Sequence, residues 1–255
     1  MPPTPEQQAR REIDAQLIAA GWLVQDKRHL NLHAGPGVAL CETDVEGGFA
    51  DYMLFVDAKA LGVLEAKAAG TPLVGVAGQS EDYARAALTD FQRWGDPLPF
   101  TYESNGEEYR FRDLRDPRSR SRFVFGVHRP ETLLSLVEQE NTLRARLQKF
   151  PPLHTGGLRD CQVDAILGLE KSFARQHPRA LVQMATGAGK TWMAVTECYR
   201  LIKFGGAQRI LFLVDRANLG KQAKNEFDLW HMTRRSFTLR WTELTDKKQW
   251  LQGWL

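Results

Sequence analysis

The chain has 255 residues, 43% apolar and 25% charged, with 34 Lys and Arg against 31 Asp and Glu for a net charge of +3. That balance belongs to a soluble globular protein of one large domain or two small ones, and it neither requires nor excludes a polyanionic partner. Cys41, Cys161 and Cys198 are odd in number and far apart, which argues against a disulfide framework and leaves no zinc spacing. No apolar run reaches roughly 18 residues and MPPTPEQQARRE lacks a signal core, so a cytoplasmic protein without membrane contact is expected.

Thr4 as N-cap, Pro5 at the first helical position and Gln7 at the capping-box position predict a first helix whose apolar face includes Ile13, Leu17 and Ile18, with Gly21 as its stop. Trp22 opens a strand, and the HLNLH stretch from His29 to His33 alternates like another, its histidines read as surface or core groups rather than zinc ligands. Apolar runs at 52–56 and 61–64, joined by a short turn through Asp57, predict neighbouring strands buried on both faces. Helical spacing follows over 76–94, ending at Gly95, and PFTYESNGEEYRFRD predicts a hairpin with Asn105-Gly106 at a tight turn. FRDLRDPRSRSR reads as an exposed loop, and residues 131–149 read as one charged amphipathic helix closed by Pro151-Pro152.

Beyond residue 151 the pattern changes to helix 159–176, strand 180–184, helix 189–204, strand 209–214 and helix 216–229. That alternation predicts a parallel sheet and a second domain over 151–255, after a first over 1–150.

Glu65 and Lys67 share one face of a strand, roughly 7 Å apart, and Asp51 lies on the adjacent strand. Two carboxylates converging on one place repel unless a cation sits between them, and Mg²⁺ accepts a small oxygen set while keeping several waters. Lys67 beside that ion could orient or deprotonate water and stabilise charge on a phosphate, which is phosphodiester hydrolysis. GGFADYMLFVDAKALGVLEAK resembles the PD-(D/E)xK nuclease core, with Asp51 as the aspartate and Glu65-Ala66-Lys67 as the E-x-K. Gln79 and Tyr83 match the Q-x-x-x-Y element of one branch of these nucleases; spaced i, i+4, they share a helical face and could bind a backbone phosphate or hold the catalytic groups. The resemblance also implies an acid from the first helix, either Glu6 in E-x-x-x-R or Glu12.

LVQMATGAGKTWMAV is a strand, a glycine-rich turn and a helix. Thr186, Gly187, Ala188 and Gly189 can close around phosphates, Lys190 can reach the β and γ oxygens of ATP, and Thr191 can ligate its Mg²⁺; Met184 departs from the usual first position of that motif. LRDCQVDAI resembles the Q motif of superfamily 2 helicases, with Gln162 as the adenine contact, and ILFLVDRANLGKQ resembles their motif Ia, with Arg216 touching nucleic acid. The whole resembles the motor subunit of a type I restriction endonuclease. That resemblance implies a PD-(D/E)xK-like mixed sheet flanked by helices, then an incomplete RecA-like parallel lobe. It also implies Mg²⁺ and ATP as cofactors, double-stranded DNA as substrate, and modification and specificity subunits as partners. No D-E-x-H acid pair follows Arg216, so phosphate binding without ATP turnover is expected of this polypeptide.

Two other readings stand beside this one: a cleavage-incompetent assembly piece docking to a modification complex, and another nuclease-helicase fusion of repair or defence. Residues 110–129 carry seven arginines against two aspartates, a density that could track a phosphate backbone, form a solvated loop or meet a partner subunit. Trp230, Trp241, Trp250 and Trp254 gather near the C-terminus and are expected to pack against further structure.

Overall fold

The computed structural model of the chain describes residues 3–45, 48–73, 77–86, 91–177, 179–213, 220–226 and 228. Arg216 and the four C-terminal tryptophans lie outside the described residues. Contacts divide the chain into two units, Met1–Ala145 and Arg146–Leu255.

Helix α1 (Pro5–Ala19) starts where the sequence puts it. The Thr4 hydroxyl accepts from the Gln7 N–H and the Gln7 side chain returns to the Thr4 N–H, so two otherwise orphaned donors are satisfied. Gly21, at φ +92°, lets the chain turn directly into β1 (Leu23–Gln25). Next come β2 (Gly37–Val45), β3 (Gly48–Val56) and β4 (Lys59–Ala66). Asp57 and Ala58, both at positive φ, make a two-residue turn between β3 and β4 whose twist matches that of the strands. Helix α2 (Ala77–Arg85), the hairpin of β5 (Phe100–Ser104) and β6 (Tyr109–Asp113), edge strand β7 (Arg122–Val124) and helix α3 (Pro130–Val137) complete the unit's main elements.

The seven strands lie in one sheet in chain order. β1 with β2 and β4 with β5 are parallel and the other neighbours antiparallel, so the sheet is mixed, as expected. Ile13, Leu17 and Leu133 from α1 and α3 pack on one face, over Tyr52, Leu54, Phe100, Tyr102 and Phe111; Ala84 of α2 and Leu98 pack on the other, over Leu40, Met53, Phe55 and Val63. Successive residues of β3 thus feed opposite cores, which is why its apolar run is unbroken. At Gly62 of β4 an added Cβ would stand 2.7 Å from the Phe100 carbonyl oxygen, so only glycine admits β5 this closely.

Several expected elements differ. The helix expected over 76–94 is described only as Ala77–Arg85; Arg93 bridges to Ala60, and Ala60 N–H bonds the Gln92 carbonyl, so the start of β4 claims that backbone. The HLNLH stretch is a short 3-10 turn at Lys27–His29 followed by turns, because the Asp26 carboxylate caps the Arg28 and His29 N–H groups. Four residues, not two, join β5 to β6, since the Asn105 side chain accepts from both Glu107 and Glu108 N–H. The arginine-rich stretch is folded rather than loose. Arg110 and Arg112 lie in β6 and Arg122 in β7; Arg112 pairs with Glu81, Arg115 with Asp113, and Arg122 and Arg144 with Asp116. The helix expected over 131–149 breaks after Val137, where Arg115 takes the Leu136 and Val137 carbonyls, and Thr142 caps the short helix α4 (Leu143–Arg146).

In the second unit, helices α5 (Asp160–Ala174) and α6 (Lys190–Lys203) form near their expected limits, and residues 220–226 are helical. Arg200 of α6 pairs with Glu170 of α5 and donates to the Pro151 carbonyl at 2.6 Å, while Val195, Cys198 and Tyr199 pack on Trp192, Phe204 and Phe212. The strands expected at 180–184 and 209–214 are not formed among the described residues. A parallel strand exists only beside a hydrogen-bonded neighbour, and none is described; Leu181 is 92% and Leu213 62% exposed. No described helix is long and apolar enough to cross a membrane.

Candidate active site

Asp51 lies within β3, Glu65 near the end of β4, and Lys67 just past it, where its N–H bonds the Ser104 carbonyl at 2.7 Å and keeps the chain extended. The two acids interlock through backbone. The Asp51 N–H donates to Glu65 Oε1 at 3.4 Å, and the Ala66 N–H donates to Asp51 Oδ2 at 2.9 Å. Lys67 Nζ is 3.7 Å from Glu65 Oε2 and donates to Gln79 Oε1 at 2.6 Å; Gln79 Nε2 donates on to the Tyr83 hydroxyl at 3.1 Å. The i, i+4 spacing on α2 aims an amide at Lys67 and a phenol at that amide.

Asp51, Glu65, Lys67 and Gln79 line a cavity of about 220 Å³ together with Glu6 and Arg10 of α1. Of the two first-helix acids, Glu6 reaches this cavity, whereas Glu12 lies against Gly106 at the β5–β6 turn. Glu65 is only 2% exposed, and burial first, then the Asp51 charge, push its carboxyl up to about 7 against the pull of Lys67. A buried acid in that state takes up either a proton or a cation. Among the described residues no group of three or more His, Cys, Asp or Glu could hold a metal. Two carboxylates are what this cluster offers a cation, a number compatible with an ion that retains waters and short of the four-ligand shell of structural zinc.

Two neighbours escaped the sequence reading. Arg10 is hydrogen bonded to Asp51 Oδ1 and, at 2.8 Å, to Glu42 Oε1. Glu42 sits between the Cys41↔Tyr52 and Thr43↔Ala50 pairs, opposite Asp51, and adopts φ +50°, a left-handed conformation that costs a non-glycine residue energy. The signal for Arg10 was the arginine of the same E-x-x-x-R that marks Glu6, one helical turn away. Nothing in the sequence marks Glu42, because its role comes from β2–β3 register.

In the second unit Gly187 and Gly189 both take positive φ, at +77° and +79°, and Gly189 is the residue from which α6 starts. Lys190 Nζ spans the turn, donating to the Met184 and Ala185 carbonyls at 3.1 and 2.9 Å, while Thr186 is exposed and Thr191 half-buried. Gln162, expected to reach adenine, is 3% exposed with both amide ends engaged: Oε1 accepts from the Arg159 N–H and Nε2 donates to the Gly189 carbonyl, each at 2.9 Å. In this arrangement it braces the turn, with one N–H and one lone pair of the amide engaged. An added Cβ at Gly189 would collide with that amide.

Residues 28–137 match the family described as the type I restriction enzyme EcoKI endonuclease subunit second domain, and residues 155–250 match the family described as the type III restriction enzyme, res subunit. The EcoKI endonuclease subunit of Escherichia coli (strain K12) is 34% identical over 275 residues, covering 88% of this chain and 23% of that protein. The chain thus spans about a quarter of the length of the curated relative it matches. A solved fragment of a type I restriction enzyme HsdR subunit from Vibrio vulnificus YJ016 is 22% identical, covers 78% of this chain and 38% of that one, and has a TM-score of 0.39.

Proposed function

We propose, from the premise that this chain belongs to the family of type I restriction enzyme endonuclease subunits, that its first unit is an Mg²⁺-dependent nuclease cutting double-stranded DNA and its second binds ATP through the Gly187–Thr191 turn. Carrying the reading is the convergence of Asp51, Glu65 and Lys67 from two strands with Gln79 and Tyr83 from α2. Asp51 and Glu65 would hold the ion, which supplies a Lewis acid for the scissile phosphate and lowers the pKa of water. Lys67, fixed by Gln79, is oriented to steer that water and to offset charge gathering on the phosphate. Tyr83 holds Gln79, and Glu6 could add an outer carboxylate.

For ATP, the N-terminus of α6 and the N–H groups of Thr186 to Thr191 supply the phosphate cradle, Lys190 exchanges its loop carbonyls for phosphate oxygens, and Thr191 would ligate the nucleotide's Mg²⁺. Arg216 is proposed as a nucleic-acid contact on the motif Ia resemblance alone. Modification and specificity subunits are the proposed partners, and the cytoplasm the proposed location.

Plasmid DNA incubated with Mg²⁺, the chain and those partner subunits should be nicked, and Asp51→Ala or Lys67→Ala should cut that rate by about 100-fold or more. Undiminished cutting by both variants removes the proposed site. Because the Glu65 carboxyl stands at about 7, protons compete with the cation below that pH. Ca²⁺ affinity measured by calorimetry should fall toward tenfold per pH unit there, and that dependence should vanish in Glu65→Gln along with most of the binding.

A further inference from the structure

A second, larger cavity of about 650 Å³ adjoins the acid pair and shares Arg10, Phe49 and Asp51 with it, so the two form one continuous groove along α1 and β3. This volume falls in the range that accommodates ligands of several hundred daltons. Around Phe49, which lines both cavities, stand the cations Lys27 and Arg28 together with the acids Asp26 and Glu42. Lys27, held by Asp44 at 2.5 Å, lies 5.3 Å from the centroid of the Phe49 ring, and Arg28 projects from the same 3-10 turn with no ion pair among the described residues. Phe49 is 63% exposed, an unusual position for a phenylalanine in a strand whose other apolar residues are buried. Two residues before Asp51 in β3, it lines both cavities together with that acid.

An exposed aromatic ring with Lys27 over one face and Arg28 lining the same cavity, beside the proposed phosphodiesterase centre, has features that bind unpaired nucleotides: a second π-face for the base and a cation for the backbone. A paired base in a duplex cannot offer its face to a side chain in this way. We propose that the Phe49, Lys27 and Arg28 end of the groove takes an unpaired nucleotide next to the phosphodiester held at Asp51 and Glu65, with Phe49 stacking on its base and Arg28 meeting its phosphate. Arg10 stands at the junction, its guanidinium shared between Asp51 and Glu42. The inference rests on the nuclease reading above and adds to it a strand-state preference.

The test measures fluorescence anisotropy of one labelled oligonucleotide, single-stranded or annealed, binding to the chain with Ca²⁺ in place of Mg²⁺. Phe49→Ala should weaken single-strand binding about tenfold while shifting duplex binding by less than about twofold, and Phe49→Trp should restore it. Arg28→Ala should lower the slope of log affinity against log salt by about 0.7, the loss of one phosphate contact on a single strand. No single-strand binding by the unaltered chain, no effect of Phe49→Ala, or equal losses on both DNA forms would each overturn the proposal. Asp51→Ala separates the two claims. If it abolishes Ca²⁺ binding and cleavage while Phe49→Ala changes nothing, only the stacking site fails; if it leaves Ca²⁺ binding and cleavage intact, the nuclease reading fails as well.

Discussion

The two glycine- and acid-bearing regions of this chain are built in opposite ways. The turn of the second unit is local: Lys190, the Met184 and Ala185 carbonyls and both positive-φ glycines lie within seven consecutive residues, and Arg159, Cys161 and Gln162 come from one further stretch to brace it. The cluster of the first unit draws on α1, β2, β3, β4 and α2, and no two of its acids are close in sequence. A local site can form wherever a short segment folds, whereas a dispersed one requires the whole sheet in register. The surrounding architecture follows suit. Antiparallel neighbours β2–β3, β3–β4 and β5–β6, five of the seven strands, are joined by two to four residues, while the apolar stretches at 180–184 and 209–213 would need partners delivered over crossovers.

Substitutions in the two units should expose that difference. Leu54→Ala, at the centre of β3 and wholly buried, should destabilise the first unit by about 3 kcal/mol in urea unfolding and loosen the acid cluster with it. A smaller but pH-dependent effect is expected in the second unit. Glu197 of α6 is buried with neither carboxyl oxygen hydrogen bonded, and burial, then Glu170, push it up to about 8 from its ordinary 4.5. The folded state therefore holds that proton more tightly than the unfolded chain, so stability should fall as pH rises from 4.5 to 8, by at most about 1.4 kcal/mol per unit, and not below that window. Glu197→Gln, a neutral isostere, should flatten the profile; an unchanged slope would place the titration elsewhere. Thr4→Ala removes one cap from α1 and should cost about 1 kcal/mol. Leu181→Ser, at an almost fully exposed position, should change stability by under about 0.5 kcal/mol, and a larger loss would mean that this stretch is covered in solution.

How much was legible varies with the range of the forces involved. The α1 cap, the Gly21 stop, the paired runs of β3 and β4 and the glycine turn before α6 are decided by groups within a few residues of each other, and each was readable. The break after Val137 was not, because the side chain that ends α3 is Arg115, 21 and 22 residues away from the carbonyls it takes. Nor was Glu42, which meets Arg10 only because β2 and β3 pair in one register.

By itself the sequence determined which residue types could do the chemistry and which face of each element they occupy, since alternation and helical spacing are properties of the backbone alone. Tertiary structure decided the rest. It turned Gln79 and Tyr83 toward Lys67, set Arg10 between two acids, and spent Gln162 on bracing a loop, because a polar side chain brought out of water binds whichever partner the packing leaves within reach.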